Sequence, residues 1–328
     1  MKQKRILSGM QPSGKLHLGN YFGALKNWVS LQDEFECFFF IADWHALSSL
    51  YEGPGRIKDF SFEVAIDWLS AGLDPEKSTM FLQSDIPEHA ELHLILSMIV
   101  PVPWLERNPT YKEKQDEVKN VDMSSYGFLG YPVLQTADIV LYKADYVPVG
   151  IDQAPHLELS REIVRRFNKL YKKVFIEPGA KISDIPKLSG LDGRKMSKTY
   201  DNAIFLSDGE KEIGKKVKSM LTDPARARRD DPGDPDVCNL YPFHKIYSPK
   251  AMQDEIASDC RTAKIGCGDC KNMLSKTMVE GMKPIMEKRQ EFLARPDAVK
   301  EILRDGTLKA QAVAKSTLKQ AKQAMKLK

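Results

Sequence analysis

Long apolar runs are missing from this sequence. The longest mostly apolar stretch, Leu94 to Leu105, is interrupted by Ser97, Pro101 and Pro103. A membrane-spanning helix needs about 20 apolar residues, so no membrane partner is expected. The N-terminal segment MKQKRILSGMQPSGK starts basic but has no apolar core and no small-residue cleavage site. The expectation is a soluble, cytoplasmic chain without a secretion signal. Internal repeats are absent, and proline and glycine are too sparse for a collagen-like or disordered chain. One-signed charge is lacking too: 49 basic against 45 acidic residues leave a net +4, which neither demands nor excludes a nucleic-acid partner. Cysteine is scarce, at five residues.

What is there is enough for one large or two ordinary domains: 328 residues, 42% of them apolar. Short apolar runs alternate with helical periodicities over the first two thirds. Arg5-Ile6-Leu7-Ser8 reads as a strand, followed by the loop Gln11-Pro12-Ser13-Gly14-Lys15 and a helix from about Leu18. Cys37 to Ala42 is continuously apolar, as a strand buried on both faces requires. Helical spacing follows over Arg56 to Leu73, a strand over Thr79 to Gln83 and a helix over Ala90 to Val100. Tyr131 to Tyr142 is helical, Tyr146 to Gly150 strand-like and His156 to Leu170 an amphipathic helix, with Val174 to Glu177 a further candidate strand. Strand–helix alternation predicts right-handed βαβ units and a parallel sheet, an α/β class. After Ser207 strand signals fade and charged helices dominate.

Two motifs carry chemistry. Pro12-Ser13-Gly14-Lys15-Leu16-His17-Leu18-Gly19-Asn20 lies between the first strand and the first helix. A helix N-terminus there favours phosphate, Gly19 admits a close ligand, and His17 and Asn20 add donors. Read alone, it is equally an ordinary turn. Lys195-Met196-Ser197-Lys198-Thr199 follows Gly193-Arg194 in a polar loop. Two lysines three apart with neighbouring hydroxyls suit a triphosphate, although a lone pattern of this kind is more often a solvated basic loop.

Taken together and in this order, the two resemble the HIGH and KMSKS signatures of class I aminoacyl-tRNA synthetases, with Asn20 and Thr199 in the last places. Within that class the chain resembles the tryptophanyl-tRNA synthetases. Gly9-Met10-Gln11-Pro12-Ser13-Gly14, Ile41-Ala42-Asp43-Trp44-His45-Ala46, Leu105-Glu106-Arg107, Thr136-Ala137-Asp138-Ile139-Val140-Leu141-Tyr142 and Val147-Pro148-Val149-Gly150-Ile151-Asp152-Gln153 are similar to that family's segments.

The resemblance implies a Rossmann-like catalytic domain over 1–207, with a connective insertion at about 100–130, and a helical tRNA anticodon-side domain over 208–328. It implies catalysis by His17, Asn20, Lys195 and Lys198. ATP would be held by Gln11, Pro12, Ser13, Gly19, Asn20, Lys114, Gly150, Ile151, Asp152, Leu188, Lys195, Met196, Ser197, Lys198 and Thr199, with Mg2+ on the phosphates. Tryptophan would be held by Asp138, Leu7, His45, Tyr131, Gln135, Val147, Val149 and Gln153. A carboxylate in an apolar segment is costly unless bonded, and an indole N–H needs an acceptor, which suits Asp138. The expected partners are L-tryptophan, tRNA(Trp) and a second copy, with Val100–Tyr126 as the interface; neither membrane nor DNA is expected.

Cys37 reads as core. Cys238, Cys260, Cys267 and Cys270 are spaced C-x21-C-x6-C-x2-C, which in a cytosolic chain argues for metal over disulfides. The resemblance extends to a bacterial subset carrying a [4Fe–4S] cluster on four cysteines; four thiolates equally suit structural Zn2+. From Thr307 to Lys328 the chain is basic without an acid, either a solvated helix face or a polyanion contact. Three rival readings stand at this stage: a tyrosyl-tRNA synthetase, a small-molecule adenylyltransferase, and a non-catalytic, metal-stabilised RNA-binding module.

Overall fold

The structure is a computed structural model describing residues 3–108, 125–150, 154–182 and 188–327. The chain forms two compact units. One comprises Met1–Gly14, Asn27–Ile185 and Arg295–Lys328; the other comprises Lys15–Lys26 and Pro186–Ala294.

The first unit is built on five parallel strands: β1 (Arg5–Met10), β2 (Glu36–Ile41), β3 (Ser78–Leu82), β4 (Tyr146–Val149) and β5 (Gly179–Ile182), in the order β3-β2-β1-β4-β5. Ile6 pairs with Cys37 and Tyr146, and Phe39 with Met80. The apolar run in β2 serves both faces of the sheet. Phe39 stacks on Trp28, which meets Trp68 edge-on, while Phe38 and Phe40 join a core with Phe81, Ala137, Val140 and Leu141. The strand order reverses between β1 and β4. In open parallel sheets, ligands enter at the carboxyl ends of the strands flanking that switch; here these ends are Met10 and Val149.

The alternating α/β pattern read from the sequence is therefore the observed fold, with one local difference. Val174–Glu177 is not a strand. The side-chain oxygen of Asn168 accepts from the N–H groups of Val174 and Phe175, and its amide donates to the Phe175 carbonyl. That side chain satisfies the backbone locally, and pairing resumes only at Gly179.

The last helix, Pro296–Ala324, packs on β3 and on the helix Glu88–Ser97. Its buried stripe includes four small residues, Gly306, Ala310, Ala314 and Ala321, beside Val299, Thr317 and Leu318. A Cβ at Gly306 would stand 1.8 Å from the Met80 carbonyl oxygen, so only glycine admits this approach. Residues 295–328 thus fold with the sheet, and the compact units do not follow the boundary at 207.

The second unit is helical. Ile213 and Val217 of the helix Glu210–Ser219 are buried where it packs on Cys267–Leu293, whose Leu274, Met278 and Met282 are also buried. Tyr247 lies over Gly281, where a Cβ would come within 2.7 Å of the ring. The segment 15–26 joins this unit through paired backbone: Leu18 N–H donates to Ile204 and Leu206 N–H to Leu16, each at 2.9 Å.

Candidate active site

In the sheet unit, Asp138 lies on the helix Tyr126–Leu141, fully buried. A lone carboxylate there would carry a heavy desolvation cost, but three donors surround it. His45 Nε2 donates to Oδ2 at 2.7 Å, Gln83 Nε2 to Oδ1 at 2.8 Å and His89 Nδ1 to Oδ1 at 2.6 Å. Burial acts to raise the pKa of this carboxyl, but the bonds from the two histidines outweigh it and hold the group down at about 2. Asp138 is an anion at neutral pH and accepts only.

Tyr131 and Gln135 share a helix face with Asp138, at positions i, i+4 and i+7. Tyr131 is buried and meets the rings of His45 and His156; Gln135 is half-buried. Leu7 on β1 and Val147 on β4 belong to the apolar core around this helix, with Val149 packed against it. Gln11, Pro12 and Ser13 follow the carboxyl end of β1, where Ser13 N–H turns back to the Gln11 carbonyl at 2.9 Å. Gly150 follows β4. Lys114, Ile151, Asp152 and Gln153 lie outside the described residues.

In the helical unit, His17 caps the short helix Leu18–Asn20 reciprocally. Asn20 N–H donates to His17 Nδ1 at 3.3 Å, and His17 N–H donates to Asn20 Oδ1 at 3.1 Å. This box assigns both side chains. With Nδ1 accepting, the ring proton of a neutral His17 stays on Nε2; with Oδ1 occupied, Asn20 has its NH2 to offer. Burial, with a smaller contribution from the Lys198 charge, lowers the His17 pKa to about 4, so the imidazole is neutral at pH 7. A Cβ at Gly19 would stand 2.9 Å from His17 Nδ1, so a larger residue would displace the ring.

His17 bridges Phe205 in antiparallel fashion, which ties the HLGN segment to the chain just beyond KMSKT. The KMSKT loop is knotted by Asn202, which is buried. Its Oδ1 accepts from Ser197 N–H at 2.8 Å, and its Nδ2 donates to Asp192 Oδ1 at 2.7 Å and to the Lys195 carbonyl at 3.2 Å. Leu191 N–H donates to the Asn202 carbonyl at 2.8 Å. Arg194 pairs with Asp192 and covers the Tyr200 ring at 4.4 Å. Met196 is buried, Lys195 is exposed, and Leu188, Ser197 and Lys198 are half-buried. Thr199 is the middle residue of the turn Lys198–Tyr200.

The four clustered cysteines also lie in this unit. Burial pushes the Cys270 thiol up to about 12, and charge on Cys238, Cys260 and Cys267 opposes its ionisation as well, so the four sulfurs are within electrostatic reach of one another. Arg226 Nη1 stands 3.8 Å from Cys260 Sγ and 3.9 Å from Cys267 Sγ. Cys270 Sγ is 3.3 Å from His244 Nε2. Among the described residues, no group of three or more His, Cys, Asp or Glu stands at metal-holding spacing.

Sequence reading missed Gln83, His89, Tyr142 and Asn202. A signal existed for Gln83: it is a polar residue placed directly after the buried strand β3, where ligand-directed groups gather. His89 had none, because one histidine in an amphipathic helix has no distinguishing pattern.

The sheet unit is a parallel sheet with its switch at β1/β4, and the helical unit holds a neutral histidine and an asparagine in one capping box together with the lysine loop. The chain belongs to the family of class I tRNA synthetases for tryptophan and tyrosine, whose family model matches residues 1–282. The tryptophan–tRNA ligase of Thermotoga maritima is 50% identical, over 98% of this chain and 99% of that one. That of Aquifex aeolicus is 42% identical, over 98% and 100%. The crystal structure of Campylobacter jejuni tryptophanyl-tRNA synthetase complexed with ADP and tryptophan superposes with a TM-score of 0.90 at 37% identity, covering 98% of this chain and 100% of that one. The tryptophanyl branch of the family is where this chain falls.

Proposed function

We propose that the chain is a tryptophan–tRNA ligase: it activates L-tryptophan with ATP to tryptophanyl-adenylate and pyrophosphate, then transfers tryptophan to tRNA(Trp) with release of AMP. The observation that carries this reading is the HLGN capping box bridged to the segment beyond KMSKT within one unit. The tryptophan carboxylate attacks the α-phosphorus in line and pyrophosphate leaves. The terminal ribose hydroxyl of the tRNA then attacks the acyl carbon. No protein nucleophile is needed; positioning and charge stabilisation supply the catalysis.

The His17 Nε2–H and the Asn20 NH2 are the donors that follow charge onto the α-phosphoryl oxygens. Lys195 and Lys198 neutralise the departing pyrophosphate. Gln11, Pro12, Ser13, Gly19, Gly150, Ile151 and Asp152 hold the nucleotide, with Leu188 and Met196 at adenine, Ser197 and Thr199 beside the lysines, and Lys114 at phosphate. Mg2+ on the triphosphate adds charge neutralisation. Asp138 accepts the indole N–H, Leu7, Tyr131, Val147 and Val149 enclose the ring, and His45, Gln135 and Gln153 complete the amino-acid site. A phenol is also a donor, so Asp138 alone does not exclude tyrosine; the tryptophan-branch relatives favour the indole.

Residues 1–207 carry the activation chemistry and the helical 208–328 the anticodon side. Cys238, Cys260, Cys267 and Cys270 fit a four-thiolate group by donor chemistry, with [4Fe–4S] favoured over Zn2+. Such a group would tie the helices Lys250–Arg261 and Cys267–Leu293 to the segment that bears Cys238. A homodimer is supported by exposed apolar side chains next to the expected interface: Leu94, Met98, Val102 and Tyr126 are all more than half exposed. Among the described residues, no helix is long and apolar enough to cross a membrane.

The test is amino-acid-dependent ATP–pyrophosphate exchange on anaerobically purified protein, with iron, zinc and sulfide assayed on the same sample. Exchange with tryptophan and not with tyrosine is expected, with about four iron per chain. Exchange without iron keeps the ligase and reassigns the cysteines to zinc or free thiols. No exchange from folded, metal-replete protein overturns the reading.

A further inference from the structure

The polar groups around Asp138 form a chain that runs one way. The Tyr142 phenol stands 2.8 Å from His89 Nε2, and His89 Nδ1 stands 2.6 Å from Asp138 Oδ1. An ionised carboxylate only accepts, so Nδ1 carries the imidazole proton and Nε2 receives the phenol proton. Burial holds the Tyr142 phenol protonated, far above its usual range. Gln83 Nε2 donates to the same Oδ1. A carboxylate oxygen accepts about two bonds, so His89 and Gln83 fill Oδ1. Oδ2 receives one bond, from His45, and keeps one site open. Gln83, His89 and Tyr142 have almost no exposed surface. Among the described residues, no donor reaches the buried Gln83 Oε1.

We infer that His89, Gln83 and Tyr142 are specificity-determining positioning residues: they saturate one oxygen of Asp138 and leave the other, beside His45, as the acceptor that reads the donor on the substrate side chain. This rests on the assignment of Asp138 as the indole reader. The consequence is a site that demands a donor. A side chain without an N–H leaves Oδ2 short of a partner in a dry pocket, and a site built this way rejects the donor-less analogue strongly. The shell also fixes the direction of that demand, because none of its members can turn a donor toward the substrate without breaking a bond to Oδ1 or to Nε2.

The experiment compares exchange with tryptophan and with the analogue carrying sulfur in place of the indole N–H, in the parent, Asp138→Asn, His89→Leu, His89→Gln and Tyr142→Phe. The KM for ATP serves as the internal control. The parent is expected to prefer tryptophan by orders of magnitude. His89→Leu is expected to narrow that ratio by about tenfold or more, the equivalent of one lost hydrogen bond to a charged group, through the amino-acid KM, with the ATP KM within about twofold. His89→Gln, which keeps a donor, is expected to recover part of the ratio, and Tyr142→Phe to show a smaller loss. A merely structural role would not move the tryptophan-to-analogue ratio selectively. An unchanged ratio in both His89→Leu and Tyr142→Phe overturns the inference. If His89→Leu does not accumulate as folded protein, the ratio in Tyr142→Phe decides alone. An unchanged ratio in Asp138→Asn instead overturns the assignment of Asp138, a separate failure.

Discussion

The two units solve opposite electrostatic problems. In the sheet unit the charge that matters, Asp138, is buried and fenced by three donors at 2.6–2.8 Å. In the helical unit the charges that matter are cations, and Lys195 is exposed on a loop held mainly through Asn202. A buried anion with one acceptor site left open discriminates, because a mismatched ligand leaves that site unpaired in low dielectric. An exposed cation neutralises without discriminating, because water screens it until a phosphate arrives. In the proposed function, amino-acid choice and charge neutralisation at the departing pyrophosphate therefore call for different kinds of residue environment, the first around Asp138 in the sheet unit and the second at Lys195 and Lys198 in the helical unit.

The contrast is broken most severely at Asp138. Asp138→Asn leaves three donors facing an amide, so tryptophan-dependent exchange is expected to fall by about 10³-fold or more. Stability is expected to fall by about 3–5 kcal/mol, as when one partner of a buried charged cluster is removed. Exchange kinetics and thermal melting measure the two effects. Removing the loop lysines tests the other side. Lys195→Ala with Lys198→Ala is expected to lower kcat for exchange by about 10²–10³-fold, the scale for lost electrostatic stabilisation of a transition state. The amino-acid KM stays within a few-fold and the melting temperature stays put. A double variant that melts early would show that these lysines are structural and would erase the contrast.

Asn202 sharpens it, since it is a buried polar residue in the unit of the loop lysines. Asn202→Ala strips the bonds to Ser197 N–H, Asp192 and the Lys195 carbonyl. About 1–3 kcal/mol of stability is expected to go with it, the cost of leaving buried groups unpaired. kcat/KM for ATP is expected to drop by about tenfold, less than for the lysines, because the cations remain and only their placement loosens. Chemical denaturation and exchange at varied ATP read both numbers.

Legibility in the sequence followed the same divide. The parallel sheet was readable because β2 is an unbroken apolar run, and the phosphate-side residues were readable because HLGN and KMSKT are local strings. Their reciprocal capping and the bridge to Phe205 were not, since a bridge between His17 and a residue far along the chain has no linear signal. Asp138 was readable as a costly carboxylate in an apolar segment. Its shell was not: Gln83, His89 and Tyr142 come from the end of a strand and from two helices, and only the fold assembles them. The last helix was readable as a helix with a basic face, but its docking on β3 depends on Gly306 and three alanines, and small residues are silent in a hydropathy pattern. The candidate strand at Val174–Glu177 failed because a single side chain, Asn168, satisfies that backbone.

The mildest test separates the two units by acid. His17, in the helical unit, has a folded pKa of about 4, against about 6.5 in an unfolded chain. As pH falls through that interval the unfolded chain takes up a proton that the folded chain refuses, so stability present above pH 6.5 declines toward pH 4. Asp138 works in a lower window. Its folded pKa of about 2 lies below the unfolded value of about 3.9, so its contribution is intact above pH 4 and is lost as pH falls toward 2. At pH 5, therefore, the His17 contribution has begun to fade and the Asp138 contribution has not. His17→Asn keeps a side-chain oxygen to cap Asn20 N–H while removing the titrating ring. Urea midpoints for parent and variant at pH 7.5 and pH 5.0 isolate the effect, because every other titrating group is common to both. The parent is expected to lose more stability than the variant over that interval. Equal losses would mean that His17 titrates alike in the folded and unfolded chains, and its role as a neutral, proton-bearing donor at acidic pH would have to be abandoned.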